Sequence, residues 1–171
     1  MKTVKISFCI LIFFLILSCT SKNVLTSKIV TKDGLEILYG EISKEQLFFD
    51  FPEWENIYNT YSVNHTILDS IVVEVKSIYD VEVYLGTWCG DSKKEVPRFL
   101  KILNEKKIVP ENKIKLYALD RKKKLGNGEA EQNNIKRVAT FIVRKDSKEI
   151  GRIVEFSKKS LEKDLLEILT N

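Results

Sequence analysis

Histidine is all but missing from this chain of 171 residues: His65 stands alone, with no cluster of His, Cys, Asp or Glu at ligand spacing around it. A metal centre and a Ser-His-Asp triad therefore lack their parts. Glycine is sparse, at seven residues, and no glycine-rich loop follows any apolar strand, so a nucleotide cofactor is not implied. The expectation is a chain with no metal and no cofactor. It has no internal repeat and no low-complexity tract, and its length suits one domain with a real core. A strong excess of charge is also missing. The 28 basic residues face 24 acidic ones, a formal net charge of +4, and a balance that close to neutral argues against nucleic acid as partner.

Cysteine is scarce as well, and its three copies fall in three different settings. Lys2 and Lys5 precede an apolar run from Ile6 to Leu17, which ends in Ile16-Leu17-Ser18-Cys19. That run is too short to cross a bilayer comfortably, so residues 1–18 read as a cleaved secretory signal rather than a transmembrane helix. A small residue directly before Cys19 resembles a bacterial lipobox. The resemblance implies a mature chain that starts at Cys19, its sulfur diacylated and its amine acylated too, as with palmitate. Several acyl chains anchor stably where one alone is marginal. The alternative is an ordinary signal peptide with a chance cysteine at its end. Cys9 is discarded with the signal, and the loss of Lys2 and Lys5 takes the formal charge from +4 to +2. The expected location is the bacterial cell envelope, lipid-anchored to a membrane and facing the periplasm. Only Cys89 is then left free. No structural disulfide is possible within the mature chain, and a lone thiol in an oxidising compartment asks for an explanation.

Cys89 lies in Leu85-Gly86-Thr87-Trp88-Cys89-Gly90-Asp91-Ser92-Lys93-Lys94-Glu95-Val96-Pro97. Upstream, Val81-Glu82-Val83-Tyr84-Leu85 reads as a strand. Downstream, Val96, Phe99, Leu100 and Leu103 recur at helical spacing, which puts Cys89 at the first turn of a helix. Unpaired backbone N–H groups and the positive end of the macrodipole there favour thiolate over thiol. This stretch resembles the thioredoxin superfamily, in particular its extracytoplasmic TlpA/ResA-like reductases, whose signature is W-C-x-x-C-x-x-E-x-P. Trp88, Cys89, Glu95 and Pro97 fall on that pattern in order, while Ser92 stands where the second, resolving cysteine would be.

The resemblance assigns roles residue by residue. Cys89 is the nucleophile. Ser92, one helical turn on, can turn its hydroxyl to the sulfur and donate a hydrogen bond to a thiolate, but it cannot attack a mixed disulfide. Glu95 matches the family's carboxylate near the active-site thiols. If half-buried, it would titrate high and shuttle a proton; a solvated surface glutamate is the alternative. Asp91 complements the helix dipole while opposing a thiolate beside it. Trp88, Gly90 and Asp91 are expected to line a substrate groove together with Ala139 and Thr140. In Val138-Ala139-Thr140-Phe141, Ala139 occupies the place of the family's cis-proline. A cis bond before a non-proline residue costs about 2.5–4 kcal/mol, so a trans bond and a reshaped groove are expected. Pro97 lacks a backbone donor inside the helix and serves shape, as a kink. Val83 takes the position of the family's buried aspartate, with Glu82 pointing the other way.

The rest of the chain supports a thioredoxin-like α/β fold, a mixed sheet of about four to five strands flanked by helices, behind an N-terminal helical extension. Residues 19–33 read as a tether, with a short strand at its end; 34–77 as the extension; and 78–171 as the core. Within the extension, a strand is expected over Gly34 to Ile42. Ser43 should cap a helix, Pro52 should open another, and Thr66 to Ile78 should form a third. Trp54, Ile57, Tyr58 and Tyr61 make an aromatic stripe that suits core packing. In the core, Ile114 to Leu119 is expected parallel to the Val81 strand. Asp120 to Gln132 should be a solvated loop running into a short helix. The pair Arg137 to Val143 and Glu149 to Glu155 reads as a hairpin, with a final helix capped by Ser157 or Ser160.

Function follows from the lone thiol. The leading expectation is a membrane-anchored monothiol exchange protein acting on protein disulfides or thiols in the envelope, with an external thiol or redox partner completing the cycle. Its rival is a non-catalytic binding or chaperone-like lipoprotein on the same fold. Peroxide chemistry through a sulfenic acid at Cys89 is a third possibility, without an arginine or threonine beside the thiol in the signature to support it.

Overall fold

The structure is a computed structural model that describes residues 27–31, 33–74 and 77–170. The expected signal peptide, Cys9 and the expected lipidation site at Cys19 lie outside these residues. In chain order the elements are strands β1 (Ser27–Val30) and β2 (Glu36–Ile42), then helices α1 (Lys44–Asp50), α2 (Pro52–Thr60) and α3 (His65–Glu74). Strand β3 (Asp80–Leu85), helix α4 (Gly90–Glu105) and strand β4 (Ile114–Ala118) follow. A short α5 (Glu129–Gln132), strands β5 (Thr140–Lys145) and β6 (Lys148–Val154), and helix α6 (Leu161–Thr170) complete the fold.

The helix boundaries have local causes. Ser43 Oγ accepts the Gln46 N–H at 3.0 Å and starts α1, as its hydroxyl suggests. Phe51 closes α1 with a bond to the Leu47 carbonyl, and Pro52 takes the first position of α2, where its missing donor costs nothing. Asn64 Oδ1 accepts the Ile67 N–H at 3.2 Å and caps α3. Of the two serines proposed for the last helix, Ser160 is the cap: its Oγ accepts the Lys163 N–H at 3.2 Å.

Six strands form one sheet in the order β1-β2-β4-β3-β5-β6. The sequence led to an expectation of about four to five. β1, antiparallel to β2, adds a strand at one edge through register pairs such as Ile29 with Ile37. The β3-α4-β4 unit is parallel, as expected, with Val83 opposite Leu116. β5 is antiparallel to β3 and to β6, which makes the closing hairpin. A β-α-β unit carrying the cysteine, followed by a hairpin and a terminal helix, is a thioredoxin-like architecture, here with β1, β2 and three helices placed before it.

The two sheet faces are covered unequally. Val81, Val83 and Leu85 belong to the larger core, shared with Leu47, Trp54, Leu68, Phe99, Phe141 and Leu165 from strands and helices alike. Phe99 of α4 meets Phe141 of β5 with ring centroids 4.4 Å apart. Fully burying one such side chain contributes on the order of 1.5–3 kcal/mol. Tyr84 and Tyr117 lie in a second, smaller cluster with Leu119, Leu125, Ala130, Ile135, Val138 and Ile142. The 120–132 segment is therefore not wholly solvated as expected. Leu125 and Ala130 are buried, and they cover tyrosines that would otherwise face water.

Glu82 does point away from the larger core. Its carboxylate accepts from Arg144 Nε at 3.0 Å and Nη2 at 3.1 Å, and from the Tyr84 hydroxyl at 3.1 Å. Asn133 ties the pair to α5, donating to Tyr84 at 2.7 Å and accepting from Arg144 at 2.5 Å. Hydrogen bonding to Glu82 holds the Arg144 guanidinium above its ordinary value, and burial first, then the Glu82 charge, pushes the Tyr84 hydroxyl up.

Candidate functional site

Cys89 sits where the sequence places it, at the junction of β3 and α4. It is the N-cap residue of a 16-residue helix, in extended backbone conformation, and no side chain caps the first turn. The N–H groups of that turn lack intrahelical partners, and the helix dipole brings its positive end to the same place. The tight turn before it is closed by Cys89 N–H donating to the Gly86 carbonyl at 2.9 Å. Cys89 is a free cysteine of intermediate exposure. Its Sγ lies 3.2 Å from the Val138 carbonyl oxygen, which accepts the thiol proton.

That carbonyl belongs to a loop whose geometry departs from expectation. The Val138–Ala139 peptide bond is cis, not trans. The tertiary surroundings override the local preference. Val138 O accepts from Cys89, Ala139 O accepts the Glu155 N–H at 2.6 Å, and Thr140 Oγ1 donates to the Arg137 carbonyl at 2.7 Å. Val138, Ala139 and Thr140 are all buried. The same turn explains why β5 begins at Thr140 rather than at Arg137.

Trp88 stands beside the sulfur, half-buried. Its Nε1–H donates to the Leu119 carbonyl at 3.0 Å, and the Arg121 guanidinium lies over its ring, 5.9 Å from the centroid. Gly86 makes room for this ring: a Cβ there would meet Trp88 Cε2 at 2.6 Å. Thr87 Oγ1 accepts the Leu38 N–H at 3.2 Å and fixes the turn to β2. Gly90 is exposed, with open space beside it, and Asp91 is exposed in the first turn. Of the residues expected to line a groove, Trp88 packs in one cluster with Cys89, and Gly90 and Asp91 are exposed beyond it, whereas Ala139 and Thr140 are buried.

Ser92 is placed differently from the role expected of it. It is fully buried, and its Oγ accepts the Gly86 N–H at 3.2 Å, which holds the turn rather than the sulfur. Glu95 is buried more deeply than expected, at 6% exposure, and is not isolated: Lys94 Nζ lies 3.0 Å and Arg98 Nη1 3.7 Å from Oε1. Pro97 lies inside α4, buried, without breaking it. Among the described residues no group of three or more His, Cys, Asp and Glu could hold a metal ion.

Sequence reasoning missed Gly86, Arg121, Leu119 and Val138. Two of these contribute through backbone carbonyls, which no side-chain motif reports. Gly86 directly before the Thr-Trp-Cys run was a usable signal, since a glycine at a strand end often admits a close neighbour.

No family model matches the sequence, and neither does any curated protein. Several solved structures are similar. A reduced thioredoxin pre-protein from Schistosoma mansoni is 29% identical over 58% of this chain and 87% of its own, with a TM-score of 0.38. A yeast mitochondrial 1-Cys peroxiredoxin is 20% identical over 64% of this chain and 97% of its own, with a TM-score of 0.39. A Pseudomonas aeruginosa protein of unknown function is 13% identical over 75% of this chain and 93% of its own, with a TM-score of 0.46.

Proposed function

We propose that this protein is a single-cysteine thiol–disulfide exchange protein of the bacterial cell envelope, tethered to a membrane through a lipid on Cys19 and turned toward the periplasm. The observation that carries the chemistry is the seat of Cys89: a free cysteine of intermediate exposure at the uncapped start of a long helix, whose thiol gives up its bond to the Val138 carbonyl as it reacts. Support for the anchor is the lipobox-like end of the apolar run at Ser18-Cys19. Among the described residues no helix is long and apolar enough to cross a membrane.

In the first step the Cys89 thiolate attacks one sulfur of a substrate disulfide. A bond forms between Sγ and that sulfur, the substrate S–S bond breaks, and the second substrate sulfur leaves as a thiolate. Ser92 cannot resolve the product, so the protein waits in the mixed disulfide. A thiolate from the same substrate then attacks the bonded substrate sulfur, which isomerises the substrate and frees Cys89. A small or partner thiolate that attacks the Cys89 sulfur instead expels the substrate fully reduced and leaves Cys89 joined to that thiol; a second thiolate then attacks the joined thiol, frees Cys89 and leaves as the disulfide of the two donors, which completes a net reduction. Glu95, held by Lys94 and Arg98 on the same helix, belongs to the framework of the site rather than to the bond exchange.

The test is direct. Reduced full-length chain is mixed with a peptide disulfide, and the product is mapped by mass spectrometry, then treated with a monothiol. The reading expects one peptide joined at Cys89 and its quantitative release by the monothiol. A Cys89 that forms no adduct overturns it and leaves a binding protein on a thioredoxin-like fold.

A further inference from the structure

A basic cleft of about 290 Å³ is walled by Lys122, Lys123 and Lys124 on one side and by Asn134, Ile135 and Lys136 on the other, with Glu131 between. We propose that this cleft selects the substrate: it takes a carboxylate-rich peptide segment flanking the disulfide that Cys89 attacks. The proposal rests on the exchange reading and adds the substrate class to it.

Position is the first argument. The lysine wall begins just after Leu119, whose carbonyl holds the Trp88 indole, and the opposite wall ends just before Val138, whose carbonyl faces the Cys89 sulfur. The cleft is therefore built on the two segments that run on from the contacts with the Trp-Cys pair, and the proposed peptide follows those segments toward Cys89. Ile135 of one wall is packed in the same cluster as Trp88 and Cys89.

Charge is the second. The arginines near the site are already paired, Arg121 with Asp33 at 3.1 Å and Arg137 with Glu155 at 2.6 Å. The four lysines are not matched in this way. Lys124 meets Glu131 at 3.8 Å, whereas Lys122, Lys123 and Lys136 have no ion-pair partner among the described residues. A concave wall with uncompensated cations attracts anions and focuses their approach.

Backbone is the third. Lys123 lies at φ 60°, in the left-handed region, and Asn134, at φ 54°, ends α5 with the Ile135 N–H donating back to the Ala130 carbonyl at 2.8 Å. The lysine turn is pinned by Asp120, whose Oδ1 accepts the Lys124 N–H at 2.8 Å and whose carbonyl accepts the Lys123 N–H at 2.9 Å. The lysines are therefore carried on a fixed turn rather than on a free chain. The concave shape, and walls that continue into the segments contacting Trp88 and Cys89, favour a peptide over a lipid surface as occupant.

The experiment uses the purified full chain and three disulfide peptides identical except for flanking Glu-Glu, Gln-Gln or Lys-Lys. Mixed-disulfide formation at Cys89 is timed in low and high salt. At low salt the Glu-Glu peptide should react at least about tenfold faster than the Lys-Lys peptide, and the ratio should fall to within about twofold in 1 M salt. In K122Q/K123Q/K136Q the ratio should collapse toward one, and in K122E/K123E/K136E it should invert. Equal rates for all three peptides, or a ratio that survives charge reversal, overturn the proposal. A neutral reagent, bis(2-hydroxyethyl) disulfide, separates the two failures. If wild type reacts with it yet ignores peptide charge, only the cleft proposal falls; if wild type reacts with no disulfide, the exchange reading falls and takes the proposal with it. Should charge reversal leave the peptide ratio intact but abolish sedimentation with phosphatidylglycerol vesicles, the cleft faces lipid and the peptide assignment is wrong.

Discussion

Glu162 offers the sharpest test of how the N-terminal extension is joined to the core. Its side chain is 2% exposed, yet it is charged. Oε1 accepts from the Tyr61 hydroxyl at 2.9 Å and from the Asn64 N–H at 3.2 Å, so one carboxylate on α6 holds both the end of α2 and the start of α3. Arg98 of α4 lies over the Tyr61 ring, 5.5 Å from its centroid. Burial alone would push the Glu162 carboxyl up. Its own backbone N–H, that of Asn64 and the hydroxyls of Tyr61 and Ser160 outweigh burial and bring it below the ordinary carboxylate value. Burial and the neighbouring carboxylate push the Tyr61 hydroxyl up, so it stays a donor at every working pH.

Magnitudes follow from the partners. A hydrogen bond to a charged group contributes about 1.5–3 kcal/mol, and an orphaned buried donor costs about 1–3 kcal/mol. Glu162→Ala strands two donors and should cost on the order of 3–4 kcal/mol, a fall in Tm of roughly 10 °C for a chain of this size. Tyr61→Phe removes one donor and should cost about 1.5 kcal/mol; Glu162→Gln, which keeps an acceptor and loses the charge, should cost a similar amount. The pH dependence has a definite sign. A carboxyl that titrates lower when folded stabilises fully above its unfolded value, about 4.3, and that contribution is lost as pH falls through the folded value. Urea unfolding by far-ultraviolet circular dichroism should show a wild-type advantage over Glu162→Gln that is flat above about pH 5 and shrinks below pH 4. An advantage unchanged down to pH 3, or a cost under about 0.5 kcal/mol for Glu162→Ala, refutes a charged node at this point.

Three further substitutions probe the site and its support. Gly86→Ala should displace Trp88 and break its bond to the Leu119 carbonyl, seen as a shifted tryptophan emission and slower exchange at Cys89; an unchanged emission spectrum contradicts the close approach. Arg144→Met leaves the Glu82 carboxylate without its bidentate partner and should cost on the order of 3 kcal/mol in urea unfolding; a loss below about 1 kcal/mol would show that solvent already screens the pair. Ser92→Cys adds a second thiol one turn from Cys89 and should shorten the life of the mixed disulfide, so that a peptide disulfide is reduced without added monothiol. A mixed disulfide as long-lived as that of the parent argues that position 92 is too tightly held by the Gly86 turn to reach the sulfur.

How much of this was legible in the sequence depends on whether a side chain or the backbone carries the feature. The strand over Val81–Leu85, the helix after Cys89 and the caps at Ser43 and Ser160 were readable, because hydrophobic period and capping chemistry are local. The parallel β3–β4 pairing followed from element order. The Val138–Ala139 geometry was not readable, since alanine carries no sign of a cis bond and the contacts that hold it come from Cys89 and Glu155, far away in sequence. Ser92 shows a similar limit. Helical spacing puts its hydroxyl near the sulfur; in the structure its oxygen accepts the Gly86 N–H, a backbone donor left by the turn that no side-chain motif reports. Glu162 and Asn64 carried no motif at all; only the packing of α6 against α3 brings them together.

The central claim is that the uncapped start of α4 makes Cys89 a reactive sulfur open to other molecules. The second-order rate constant of its reaction with bis(2-hydroxyethyl) disulfide at pH 7, set beside that of free cysteine in the same buffer, tests this most directly. The account predicts a rate at least about tenfold above free cysteine, lost in Cys89→Ser. A rate equal to or below that of free cysteine would contradict it.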